Sequence, residues 1–191
     1  MKSRGLSGLW ARRIWVIVSL VIFLWGCQPA SLFGGDASLR PGSMSVRVAR
    51  VVSGQTIEVI NPANQQAERV RLLGIETPAQ KQEPWYSQAK ERLQTLLGDD
   101  SVVILETDVE PEAATDSGSV LKLAYVWKNG VLLNEQLVAE GVVLASSRSP
   151  NLRYEQRLIN AQEKARLMGI GIWNAEHPMR QMPQEFRTTD P

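Results

Sequence analysis

At 191 residues, with 21 Lys plus Arg against 20 Asp plus Glu and one cysteine, the chain suits a single domain with a real core. No repeat or low-complexity run points to a solenoid or a disordered protein, and a lone thiol excludes an internal disulfide. Four of the basic residues and no acidic ones fall in residues 1–27, leaving 17 against 20, net −3, which argues against a uniformly basic polyanion binder but leaves a local basic face open.

The first 27 residues are a different kind of sequence from the rest. Lys2, Arg4, Arg12 and Arg13 precede the apolar run Ile14 to Trp25, broken only by Ser19, and Gly26-Cys27 follows. This is the basic segment and short apolar segment of an export signal; a spanning helix needs about 20 apolar residues, more than this run supplies. Leu24-Trp25-Gly26-Cys27 resembles the lipobox of bacterial lipoproteins, in which the cysteine is lipidated and becomes the new N-terminus, so Cys27 is the expected lipidation site. An uncleaved signal anchor is the alternative. Either places the domain outside the cytoplasm and against a membrane, because the basic residues precede the apolar run. Residues 28–43, with Pro29, Gly34, Gly35, Pro41 and Gly42, read as a flexible tether with a reach of roughly 50 Å at most.

A domain is expected over 44–174. Val46 to Val52 and Gln55 to Ile60 read as strands joined at Ser53-Gly54, and Glu68 to Leu73 returns as a third after the Asn61-Pro62-Ala63-Asn64 turn. Alternation at Val70, Arg71 and Leu72 turns Arg71 away from its apolar neighbours. Gly74 bends the chain, and Glu76-Thr77-Pro78 ends the strand. A guanidinium and a carboxylate thus lie near one end of a sheet, an arrangement that suits a phosphate or metal site or, alternatively, a surface ion pair. Pro84 opens a helix running to about Leu97, with Ala89, Leu93, Leu96 and Leu97 on one face. Ser101 to Thr107 is a fourth strand and Leu121 to Trp127 a fifth, separated by an acidic stretch, Asp108 to Ser119, that reads as a solvated loop whose spacing fits no EF-hand. Asn129-Gly130 signals a hairpin into Val131 to Leu133. Asn134 is expected to cap a short helix, Glu135 to Glu140, and Asn151 a last helix closed by Gly169. Trp173 packs on the core, and the tail, 175–191, is loosely held. The pattern alone gives a small α+β barrel with helices on one side.

Taken in order, VVSGQTIEV, VRLLGIETP, EPWYSQAKERL, LAYVWKNGVLLNEQLVAEG and RYEQRLINAQEKARLMGIGIW resemble the succession of elements in the staphylococcal nuclease family, across Val46 to Trp173. The resemblance implies a mainly β, five-stranded OB-type Greek-key barrel with about three helices. It also implies a calcium-dependent phosphodiesterase acting on nucleic acid. Such a site needs carboxylate and carbonyl oxygens for the metal, a carboxylate to activate water, and two arginines for the charge that grows on the phosphoryl oxygens.

Residue by residue, the chain departs from that pattern. The family's first loop reads D-G-D-T and its second Asp binds the metal; here the position is Gln55, which offers an oxygen without a charge. The Asp before Thr-Pro falls on Glu76, with the Thr77 carbonyl beside it. The Glu assigned as base follows the Pro, where this chain has Ala79. Arg71 retains the first arginine, and the second falls on Leu121. The adjacent Lys122 would point to the opposite face of its strand. Near Ala79, Gln80 and Glu83 follow, of which only Glu83 has the chemistry of a base, and His177 reads as a surface residue of the tail.

Two readings stay open on these residues. In one, calcium is doubtful and the domain is a membrane-tethered, nuclease-derived module with degraded or lost activity, binding nucleic acid weakly or a protein partner at the envelope. In the other it is a working calcium-dependent nuclease using Glu76, Arg71 and Glu83 as a substitute base, which requires Glu83 to approach that pair.

Overall fold

The computed structural model describes residues 42–115 and 118–189. The readings of residues 1–27, Cys27 among them, and of nearly all of the tether lie outside these. Strand β1 (Ser43–Ser53) pairs antiparallel with β2 (Thr56–Ile60) on one side and β5 (Val102–Glu106) on the other. Strand β2 pairs with β3 (Ala67–Leu72), and β5 pairs with β7 (Val120–Lys128). A parallel pairing of β3 with β7, Val70 to Lys122 through Leu72 to Ala124, closes the five strands into a barrel. Closure leaves these strands no long open edge.

The barrel interior follows from the period of two. Ile57 and Val59, Val70 and Leu72, Val103 and Leu105, and Ala124 and Val126 alternate along their strands and are all essentially fully buried. Helix α1 (Trp85–Leu97) presents Ala89, Leu93 and Leu97, four residues apart, to the same core. Helix α2 (Leu133–Ala139) adds Leu133, Leu137 and Val138, and α3 (Glu155–Leu167) adds Leu158 and Ala161. A two-residue ladder, β4 (Ile75–Glu76) against β9 (Leu144–Ala145), ties the corner after β3 to the segment before α3.

Several expectations change in the structure. Within the acidic stretch read as a loop, β6 (Glu112–Ala114) pairs with β7, adding a strand outside the barrel, whereas β8 (Val131–Leu132) pairs with β7 in the hairpin that Asn129-Gly130 signals. Asn134 lies inside α2 rather than capping it: its Oδ1 accepts the Val126 N–H at 2.9 Å and its Nδ2 donates to the Leu73 carbonyl at 2.8 Å. Buried main-chain groups near the β3–β7 closure need partners, and one amide side chain satisfies a donor and an acceptor at once. Asn151 does not cap α3, which starts at Glu155; its amide clasps the backbone of Glu110 instead.

The tail is the largest difference. Met179 is buried with Leu144 and Ile172, against which Trp173 also packs, and the chain then forms a fourth helix, α4 (Pro183–Thr189). Gln82, buried in the turn before α1, donates to the Gln181 carbonyl at 2.7 Å and so fastens the tail to the corner.

Candidate functional site

The residues singled out by their chemistry meet where β3 ends. Arg71 sits between buried Val70 and Leu72 and points out through the barrel wall. Gly74 turns the chain at a φ of +73°, a left-handed conformation that favours glycine, and a Cβ there would also push on Leu158 Cδ1 at 2.4 Å. Gly54 is needed for another reason: its Cβ would meet Ala89 Cβ at 2.7 Å and Thr77 Cγ2 at 2.8 Å. This close approach brings the β1–β2 turn onto the Glu76-Thr77 corner.

Gln55 is spent on that contact. Its side-chain oxygen accepts the Thr77 N–H at 2.9 Å, holding the corner against the turn. Glu76 is buried, with its side chain 9% exposed, and its partner is the guanidinium of Arg187 on α4, Nη2 to Oε1 at 2.5 Å. The surface ion pair between Arg71 and Glu76 that the spacing allowed does not form within contact distance. Ala79 is buried, and its N–H donates to Gln82 Oε1 at 3.0 Å, so an amide rather than a carboxylate serves that turn. Gln80 is exposed.

Glu83 does not approach the pair. It is exposed, and its carboxylate accepts the hydroxyl of Ser87 at 2.8 Å and the Ser87 N–H at 3.3 Å, closing the first turn of α1. The cause is local: a carboxylate at a helix N-terminus meets free N–H groups and the positive end of the dipole. Leu121 lines the same cavity as Arg71, whereas Lys122 faces away and pairs with Glu68 at 2.6 Å. His177 is exposed in the tail.

The cavity beside Arg71 has a volume of about 620 Å³ and is walled by Leu121, Leu123, Ala113 and Ala114 on β6 and β7 and by the loop that follows β9. That loop contributes Arg148. Burial pulls the Arg71 guanidinium below the ordinary arginine value; Arg148 pulls the same way, Glu76 opposes, and Arg187 adds to the lowering. Three guanidinium groups therefore share one neighbourhood with a single buried carboxylate, a local basic face on a domain whose balance is acidic. A larger opening of about 940 Å³ lies between α1 and the tail, lined by Trp85, His177 and Phe186, but none of Gln55, Arg71, Glu76 or Leu121 borders it.

Calcium, which the resemblance implies, does not fit this arrangement. It takes six to eight oxygens and favours several carboxylates. Here one carboxylate is held by an arginine, the amide oxygen of Gln55 is held by a main-chain N–H, and Ala79 supplies nothing. Among the described residues no three His, Cys, Asp or Glu side chains cluster as a metal site.

Arg148, Arg187 and Gln82 were not singled out by the sequence reading. Arg148 is the one charge in a run of small turn-forming residues, Ser146 to Pro150, which is a faint signal of an exposed tip. Arg187 carries none, because nothing in a tail without periodicity indicates where it docks.

The family described as staphylococcal nuclease homologue matches residues 69–175 of the chain. The chain is 30% identical to the thermonuclease of Staphylococcus hyicus over 133 residues, covering 67% of this chain and 75% of that protein. It is 32% identical to the thermonuclease of Staphylococcus intermedius over 149 residues, covering 73% and 84%. The closed barrel, the order of its elements and these matches agree, and the chain belongs to the staphylococcal nuclease family.

Proposed function

We propose that this protein is a membrane-tethered, extracytoplasmic member of the family that holds nucleic acid through its arginine face and has lost most of the family's calcium-dependent cleavage. The observation that supports this reading is the contact between Glu76 and Arg187. The one carboxylate placed to hold a metal already has a cation, and that cation belongs to the chain. Removing a general base costs about 10² to 10⁴ in rate and removing one preorganised charge donor about 10² to 10³. Ala79 and Leu121 represent one of each, so the combined loss is at least about 10⁴ before the metal is considered. Glu83, tied to Ser87, offers no substitute.

The tether is part of the same proposal and rests on the sequence of residues 1–43. A lipid on Cys27 and a linker with a reach of roughly 50 Å would keep the arginine face close to a membrane surface.

The test is direct. The full chain in mild detergent, incubated with single-stranded DNA or RNA and calcium, should cleave no faster than its Arg71→Ala variant. Calcium-dependent turnover that Arg71→Ala abolishes would overturn the reading.

A further inference from the structure

A half-buried charge normally has a partner, because stripping water from it costs several kcal/mol. Arg71 is half-buried and has no ion pair or hydrogen-bonded side chain among the described residues; Arg148, exposed at the rim of the same cavity, has none either. Glu76, the carboxylate whose charge acts on Arg71, is held by Arg187. Two guanidinium groups without partners thus border one cavity of about 620 Å³, where they repel each other unless an anion lies between them.

The loop that carries Arg148 is fixed at both ends. Ser146 N–H donates to the Gly74 carbonyl at 2.9 Å, directly after the β4–β9 ladder. Asn151, itself buried, donates its N–H to the Arg148 carbonyl at 3.0 Å. Its side-chain oxygen accepts the Glu110 N–H at 2.8 Å and its side-chain nitrogen donates to the Glu110 carbonyl at 2.9 Å. The backbone at Arg148 is therefore held in place before any ligand arrives. Across the cavity, Leu121 and Leu123 stand two apart on β7, both facing the cavity, and form an apolar wall. Glu110 is the one acidic side chain among the described lining residues, and it is exposed.

We propose that Arg148 supplies the second guanidinium of an oxyanion clamp with Arg71, taking over from the β7 position occupied by Leu121. The ligand class is a phosphate mono- or diester of a nucleotide unit, whose apolar surface lies on the Leu121–Leu123 wall. The cavity falls within the range of about 300–1,000 Å³ usual for a small-molecule site. Arginine suits the task because its planar fork matches two phosphoryl oxygens at once. The inference rests on the nucleic-acid reading above but concerns a different residue.

The experiment uses the full chain in mild detergent with EDTA and measures fluorescence anisotropy of a short, 5′-phosphorylated single-stranded DNA across a salt series. Arg148→Ala should weaken binding about tenfold or more, the usual scale for a charge-assisted contact. It should also lower the slope of log K against log salt by about 0.7, the value for one phosphate contact on a single strand. Arg148→Lys should fall between, keeping the charge and losing the fork. Adding Leu121→Arg to Arg148→Ala should restore binding, which a merely structural role for Arg148 would not permit. Inorganic phosphate should compete more weakly than the oligonucleotide. If Arg71→Ala weakens binding and Arg148→Ala leaves both affinity and slope unchanged, the role of Arg148 is refuted while the nucleic-acid reading stands. If the unaltered chain does not bind at low salt, both fall and a protein partner becomes the better explanation of the face. Cleavage in calcium bears on the proposed function alone.

Discussion

Two buried carboxylates, Glu106 and Glu76, each carry an arginine, and they differ in everything else. The Glu106 side chain is 3% exposed at the end of β5. It accepts Trp127 Nε1 at 2.7 Å, Arg153 Nη1 at 2.8 Å and the Tyr154 hydroxyl at 3.0 and 3.1 Å. Arg153 is also placed by Asp108, whose other oxygen accepts the Arg153 N–H at 3.0 Å. Tyr125 and Tyr154 pack edge to face over this network, ring centres 4.7 Å apart. Among the described residues Glu76 has one ion-pair partner, on the seven-residue helix α4, and half of that arginine side chain is exposed. The first carboxylate is satisfied from several directions by β7 of the barrel and by the two residues that precede α3. The second depends on a single contact that can be withdrawn without disturbing the barrel. A buried charge with many donors fixes a fold, whereas one with a single removable donor marks a place where a site has been, or still is, negotiable.

Substitution of the two acids separates them most clearly. Glu106→Gln puts an NH₂ against donors and leaves Trp127 and Tyr154 short of an acceptor, and we expect a loss of about 3 kcal/mol. Glu76→Gln frees an arginine that returns to water, and the expected loss is about 1 kcal/mol, discounted for the exposure of Arg187. Urea midpoints at neutral pH measure both. Equal losses would erase the distinction.

The dryness of the Glu106 region has its own signature. Burial holds the Tyr125 phenol up at about 12, against an ordinary value near 10. Between these values the unfolded chain has released a proton that the folded chain keeps, so folding stability declines as pH rises. The contribution is intact below about pH 10 and is lost by about pH 12, roughly 3 kcal/mol in all. Tyr125→Phe removes the ionisable group, and its stability should fall less steeply across that window. Parallel slopes for variant and parent would mean that water reaches the phenol.

How far the sequence foretold these regions depends on the range of the interactions involved. The barrel was legible because Ile57 and Val59, or Val70 and Leu72, declare their face every second residue, and the outward turn of Arg71 and the opposed faces of Leu121 and Lys122 follow from the same period. Glu106 was not legible as a buried hub, since the acid that ends a Val-Val-Ile-Leu-Glu strand looks local whether it meets solvent or three side chains from elsewhere. Asn134 and Asn151 were read as caps for a related reason. An amide beside a helix has one local signature and two uses, and only the fold shows that these bridge distant backbone. Arg187 and Arg148 lay beyond reach because their meaning comes from docking, of a tail in one case and of a loop between β9 and α3 in the other.

The smallest expected effect tests whether the Glu76 corner is negotiable. Arg187→Ala should cost about 1 kcal/mol, because it leaves a buried carboxylate without its cation but disturbs no core residue. Calcium should nevertheless leave the melting temperatures of both parent and Arg187→Ala unchanged at millimolar concentration, since one carboxylate and the engaged oxygen of Gln55 are too few ligands. Combining Arg187→Ala with Gln55→Asp removes both obstacles, the resident cation and the missing charge. Only that double variant should gain stability with calcium, by about 1 kcal/mol when the ion is present at several times its dissociation constant. A calcium-dependent rise in the melting temperature of the unaltered chain would show that Arg187 leaves the corner readily, and the lost cleavage would then have to be charged to Ala79 and Leu121 alone.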